Sequence, residues 1–175
     1  MDPTAAPQVE MSIARPEDRA AVVNMMQLYT HDFSEHWAGR PDGELDEDGR
    51  FAEYDLAPYW REAGHVPLLV RAGGHLAGFA LLNRTSHSGE SVDRNVAEFF
   101  IVRKHRRGGM GTFVAQTILS RYPGRWEAAV ARRNLAALAF WRRAISSHAQ
   151  AREIEEIDVT SEAWNGPVIR FSIVA

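Results

Sequence analysis

Cysteine is absent from all 175 residues, which removes disulfides, thiolate metal sites and a cysteine acyl-enzyme from consideration. No apolar run approaches membrane-spanning length, and Met1-Asp2-Pro3-Thr4 has neither the basic nor the apolar part of a secretion signal. A cytoplasmic protein without membrane partners is therefore expected. The Gly-Lys-Ser/Thr ending of an ATP or GTP loop occurs nowhere. There is no continuous basic stripe and the net charge is −3, so no nucleic-acid partner is expected. His31 and His36 lack a third ligand at suitable spacing, so no metal site is expected either. Internal repeats and low-complexity linkers are also missing. What is present, 45% apolar and 25% charged residues, suits one globular domain spanning residues 1–175 with a real core.

The charge is unevenly spread. From His31 to Asp55 there are nine acids, Asp32, Glu35, Asp42, Glu44, Asp46, Glu47, Asp48, Glu53 and Asp55, against only Arg40 and Arg50. Apolar periodicity predicts a strand over 8–14, then a helix opened by Pro16-Glu17-Asp18 and running to about Tyr29. The acidic stretch reads as irregular, with a short helix near 57–62 after it. Strands are predicted over 66–71 and 75–84, joined at Ala72-Gly73-Gly74, and over 92–102. A helix over 110–121, a strand over 124–132 and a helix over 135–148 follow. Two strands, 152–160 and 167–175, close the chain around a turn at Asn165-Gly166-Pro167.

Arg106-Arg107-Gly108-Gly109-Met110-Gly111 lies between the strand ending Phe99-Phe100-Ile101-Val102 and the helix beginning Thr112-Phe113-Val114. A strand, a basic glycine turn and a helix N-terminus form a pocket for a polyphosphate, because freed backbone N–H groups and the helix dipole converge on the anion. Arg103, Lys104, Arg106 and Arg107 add full charges beside it. The dinucleotide fingerprint would need glycine at position 114, which is Val.

The stretch Arg106-x-x-Gly109-x-Gly111 resembles motif A of the GNAT superfamily of acetyl-CoA-dependent N-acetyltransferases. Val102, four residues before Arg106, matches the last apolar residue of that family's fourth strand. Asn134-x-x-Ala137-x-x-Phe140-Trp141 resembles the family's Asn-x-x-Ala-x-x-Phe/Leu-Tyr. After it, Arg142-Arg143-Ala144-Ile145-Ser146 departs from the usual Gly-Phe. The resemblance implies an α+β GNAT (acyl-CoA N-acyltransferase) fold, a mixed seven-stranded sheet flanked by about four helices.

It also implies acetyl-CoA as cofactor and a site. The Val102 N–H would hydrogen-bond the acetyl carbonyl, and the main chain of Phe100, Ile101 and Val102 would run beside the pantetheine arm. Arg106, Arg107, Gly108, Gly109, Met110, Gly111 and Thr112 would hold the pyrophosphate. Asn134 would bind the pantetheine amides or cap its helix, or both, and Phe140 would lie against the arm. Glu98 is expected as general base, its pKa raised by burial; the competing reading pairs it with an arginine on a neighbouring strand.

Trp141 stands where the family frequently has the tyrosine that protonates the departing thiolate, and an indole cannot be that acid. Tyr29, Tyr54, Tyr59 or water remain for that role, while Trp141 either walls the acceptor pocket or is a core aromatic. Tyr29, Asp32, Phe33 and Glu35, with His31, His36 and Trp37, mix rings and carboxylates suited to a cationic small-molecule or peptide amine. The plainer reading of this stretch is a solvated loop. A homodimer is allowed. A catalytically silent CoA-binding sensor or interaction module on the same fold is the rival to an enzyme.

Overall fold

The computed structural model describes residues 8–41 and 43–175. Met1–Thr4 and Asp42, both used above, lie outside the described residues. The elements are β1 (Val9–Ile13), α1 (Arg19–Ser34), β2 (Val66–Ala72), β3 (His75–Asn83), β4 (Arg94–Ile101), α2 (Met110–Arg121), β5 (Gly124–Ala129), α3 (Leu135–Ser146), β6 (Ala151–Thr160) and β7 (Asn165–Ile173). Single 3-10 turns at Pro16–Asp18, Glu35–Trp37, Ala57–Trp60 and Arg103–His105 fill the connections. The short helix expected near 57–62 is one of these turns, so three α-helices flank the sheet among the described residues.

The strands form one mixed seven-stranded sheet in the order β1-β2-β3-β4-β5-β7-β6. Only β4 and β5 run parallel, and they pair at just Arg94↔Trp126 and Asn95↔Glu127 before diverging. All other neighbours are antiparallel.

Each face of the sheet carries its own core. Leu68, Val70, Ala80, Leu82, Val96 and Ile101 pack with Val114, Ile118 and Leu119 of α2 and Leu138, Trp141 and Ile145 of α3. On the other face Leu69, Phe79, Leu81 and Phe100 pack with Val22, Met25 and Met26 of α1 and with Tyr59. The strict alternation is what a two-sided sheet demands. Glu127 of β5 is fully buried, yet accepts from the Ser86 hydroxyl at 3.1 Å, the His87 N–H at 2.7 Å and the Ser88 hydroxyl, which pins the connection before β4.

The expected turn at Asn165-Gly166-Pro167 is displaced. Those residues are the start of β7, paired with Thr160, Val159 and Asp158, and the turn is Ser161–Trp164. The Ser161 N–H donates to the Trp164 carbonyl at 2.8 Å, and the Trp164 N–H donates to Ser161 Oγ at 3.1 Å. Gly166 is there for close approach: a Cβ would sit 2.3 Å from the Val130 carbonyl oxygen. Gly166→Ala is therefore expected to destabilise the fold by about 1–3 kcal/mol, the range of core overpacking. Urea unfolding checks this; a change of only a few tenths of a kcal/mol would contradict the close-packed strand.

Candidate functional site

The site grows from the divergence of β4 and β5. A bulge lets Leu81 face Glu98 and Leu82 face Val96, leaving Ala97 without a partner. Ala97 and Glu98 therefore both turn to the α1 face, and alternation then resumes with Phe99 and Ile101 toward α2 and α3 and Phe100 toward α1.

Main-chain directions correct one expectation. The Val102 N–H donates to the Ala77 carbonyl of β3 at 2.8 Å, so it is not free for an acyl oxygen. With Phe100 opposite Phe79, alternation along the antiparallel ladder sends the main-chain groups of Phe99 and Ile101, not those of Phe100 and Val102, into the gap beside β5. At this end of β4 the N–H that faces away from β3 is thus that of Ile101, one residue earlier.

Beyond the strand the chain makes a one-turn coil and enters the basic loop. Gly109, the N-cap of α2, has φ +81°, and Arg107 has φ +66°. Two left-handed residues on either side of Gly108 turn the chain sharply, and such turns expose successive N–H groups to an anion. Among the described residues no carbonyl or side chain accepts from the N–H groups of Arg107 to Thr112, and the first turn of α2 adds its dipole. Gly111 leaves its side open toward Phe140, whose ring would be 3.4 Å from a Cβ there. Met110, by contrast, is buried in the core under α2, so only its backbone faces the loop.

A cavity of about 600 Å³ runs from this loop along the divergent strands. Of the residues expected at the site it is lined by Tyr29, Asp32, Phe33, Glu35, Phe100, Ile101, Arg106, Arg107, Gly109, Gly111, Thr112, Asn134 and Phe140. His36, Phe99, Arg103, Ala136, Ala137 and Arg143 also line it. Phe99 stacks on Phe140 with centroids 5.5 Å apart, a pairing visible only once β4 and α3 are brought together. Asn134 Oδ1 accepts from the Ala137 N–H at 3.0 Å and caps α3, which leaves its amide group for other partners.

Glu98, Val102, Gly108, Met110 and Trp141 stand off the cavity, as do His31 and Trp37 of the expected acceptor set. Trp141 is buried on α3, edge-on to Phe99 and Phe140 with centroids at 5.2 and 5.1 Å. It is a core aromatic and not a wall of the pocket. The acidic segment is also mostly elsewhere. Glu44, Asp46, Glu47, Asp48, Glu53 and Asp55 are exposed, with Asp46 holding the Asp48 and Arg50 N–H groups in a local turn. Asp32, expected to meet a cation, instead accepts from Arg103 Nε at 2.8 Å and from Arg106 Nη2. Burial alone would raise its pKa, but the two guanidiniums together hold it below the usual carboxylate range.

Glu98 has no arginine partner among the described residues. Burial pushes its carboxyl up to about 7, against the hydroxyls of Tyr29 and Tyr54, which favour the charged form. Tyr29 of α1 lines the cavity and holds Phe79 and Phe100 edge-on at 6.1 and 6.0 Å, so it stands between Glu98 and that space. Burial and then the Glu98 charge push Tyr59 up to about 12 and raise Tyr29 and Tyr54 well above the usual tyrosine value, which keeps all three protonated. The tyrosines weighed as proton donors to a thiolate thus gather around the carboxylate. Their partnership was hidden because Tyr54 and Tyr59 lie some 40 residues from Glu98 in sequence.

Comparison with known proteins agrees with this architecture. A mixed sheet opening between two parallel strands above a basic, N–H-lined loop defines the acyl-CoA N-acyltransferase class of fold. The chain matches the Acetyltransferase (GNAT) family over residues 22–146 and belongs to that family. An acetyltransferase from Thermus thermophilus superposes with TM-score 0.66 at 15% identity over 95% of this chain and 97% of that one. An aminoglycoside acetyltransferase in complex with coenzyme A and kanamycin gives 0.60 at 14% identity over 95% of each chain. A spermidine N-acetyltransferase chimera from Vibrio cholerae gives 0.55 at 12% identity, again over 95% of each. These likenesses establish the fold. No curated protein is similar enough in sequence to match.

Folding takes up a proton at Glu98 between about pH 4.5, where an ordinary glutamate titrates, and about 7. The carboxyl therefore costs stability as pH rises through that window and nothing below it. Glu98→Gln should raise stability at pH 8 by about 3 kcal/mol, with no pH-dependent gain at pH 4. Urea titrations at both pH values check it; equal differences at the two would contradict the raised pKa.

Proposed function

We propose that this protein is an N-acetyltransferase that moves an acetyl group from acetyl-CoA to a primary amine by direct attack within a ternary complex. One juxtaposition carries the reading. A basic loop lined with free N–H groups closes one end of the cavity that opens where β4 and β5 part, and Tyr29, set against the buried Glu98 carboxyl, lines the same cavity.

The residues present fit the cofactor. The N–H groups of Arg107 to Thr112 and the guanidiniums of Arg106 and Arg107 suit its pyrophosphate. The Ile101 main chain and the Asn134 amide suit the pantetheine arm, with Phe140 against it. When bound, the coenzyme supplies an acetyl thioester, activated toward amines. The Ile101 N–H is placed to stabilise charge on the acetyl oxygen. Glu98 accepts the amine proton by way of the Tyr29 hydroxyl or water, since Tyr29 lines the cavity and faces the carboxylate.

The acceptor enters past Tyr29, Phe33, Glu35 and His36 and carries a positive charge before it loses its proton. Rings and the exposed Glu35 carboxylate at the entrance favour such an amine. The exposed acids beyond it supply a long-range attractive field. One domain, active in the cytoplasm, is sufficient for this chemistry, and no metal is required.

Acetyl-CoA turnover with a panel of amines, followed by thiol release, tests the proposal. Cationic primary amines should be preferred, with kcat rising as pH passes about 7. Glu98→Gln should lower kcat by about 10²- to 10³-fold and flatten that rise. Amines of every charge reacting equally would remove the cationic acceptor. A Trp in the core where relatives often keep a tyrosine favours a second reading, a silent CoA-binding module. In that case coenzyme A binds, yet no amine accelerates thiol release above background hydrolysis.

A further inference from the structure

Asp32 sits in the last turn of α1, one turn after Tyr29 and next to Phe33, yet its carboxylate is committed to the opposite wall of the cavity. Oδ1 lies 2.8 Å from Arg103 Nε and 2.7 Å from Arg103 Nη2, and Oδ2 accepts from Arg106 Nη2. Arg106 is held at two further points. Its Nε donates to the Ile101 carbonyl at 2.6 Å, and its guanidinium lies 5.5 Å from the Phe100 ring centre. Four arginines line the cavity, Arg103, Arg106, Arg107 and Arg143, and one carboxylate occupies two of them.

We propose that Asp32 is an internal counter-anion that competes with the phosphates of coenzyme A for Arg103 and Arg106. Binding the coenzyme then exchanges partners at these guanidiniums. The inference rests on the reading of the loop as a coenzyme A site.

A phosphate offers a guanidinium the same forked acceptor geometry as a carboxylate, with more charge. The Asp32 side chain is only 17% exposed, so its negative charge is weakly screened from an anion sharing the cavity. Asp32 thereby lowers affinity for phosphates in general. It also recaptures the arginines when coenzyme A departs, which favours product release. Because α1 carries Tyr29 and Phe33, the exchange acts directly on the acceptor wall.

Calorimetric titration with coenzyme A tests this. At low salt Asp32→Asn should bind coenzyme A about three- to fivefold more tightly than wild type, the scale of a partly exposed ion pair, and the advantage should shrink as salt is raised. In an R103Q/R106Q background the same substitution should gain less. An unchanged or weaker affinity in a D32N protein with native circular dichroism overturns the proposal, as does an undiminished gain without the two arginines. Should D32N fold poorly, NMR of the wild-type arginine Nε–H groups decides. The Arg103 and Arg106 signals should shift on adding coenzyme A, and signals that stay put overturn it. Wild type failing to bind coenzyme A at all would sink the reading of the loop, and this inference with it.

Discussion

β4 and β5 are hydrogen-bonded for two residue pairs and then separate, and the site is a consequence of that separation. A strand in the middle of a sheet normally satisfies both edges with neighbours. Here the far half of β4 keeps β3 on one side and turns the Phe99 main chain and the Ile101 N–H to the gap on the other, the Ile101 carbonyl being taken by Arg106. An extended ligand can complete such an edge as a further strand would, which is how main-chain pairing commonly recognises linear molecules. The cavity follows the gap, the basic loop closes its lower end, and α1 forms its upper wall.

The separation is maintained by what flanks it. Phe99, Phe140 and Trp141 form a ring cluster that props α3 against the end of β4. A tryptophan at position 141 gives this wedge a large apolar body and removes an ionisable group from the place. On the other face the bulge at Ala97 turns Glu98 toward Tyr29, Tyr54 and Tyr59. One extra residue in a strand thus decides whether a carboxylate meets the α2–α3 core or a shell of hydroxyls. Low water access there shifts its protonation toward neutrality, the range useful for taking a proton from an amine.

Electrostatics in the cavity is divided along its length. The loop end is cationic, the α1 wall carries Tyr29, Phe33 and the exposed Glu35, and Asp32 reaches from that wall to the cationic end. Most acids of the segment after α1 face solvent and act only through their field. Their sequence neighbourhood suggested a lining, but a carboxylate beside water costs nothing, whereas one inside the cavity needs a partner. Among the described acids Asp32 and Glu35 reach the cavity, and Asp32, the more buried, took two arginines with it.

The sequence by itself determined the element order and the loop, because both are written locally. Period-2 and period-3.6 apolar patterns marked the strands and helices, and a glycine at a left-handed position before a helix needs no distant partner to be recognised. Asn134 and Phe140 were singled out by a second local motif, Asn134-x-x-Ala137-x-x-Phe140-Trp141, and Glu98 by its place on the strand before the loop. Tertiary structure alone decided the rest. Which N–H of β4 is free depends on the register with β3, and a slip of one residue reverses every main-chain direction. The partners of Asp32, the tyrosines around Glu98 and the burial of Trp141 depend on contacts between elements far apart in the chain. Such contacts are chosen by packing and charge pairing after the fold has formed, and no local pattern records them.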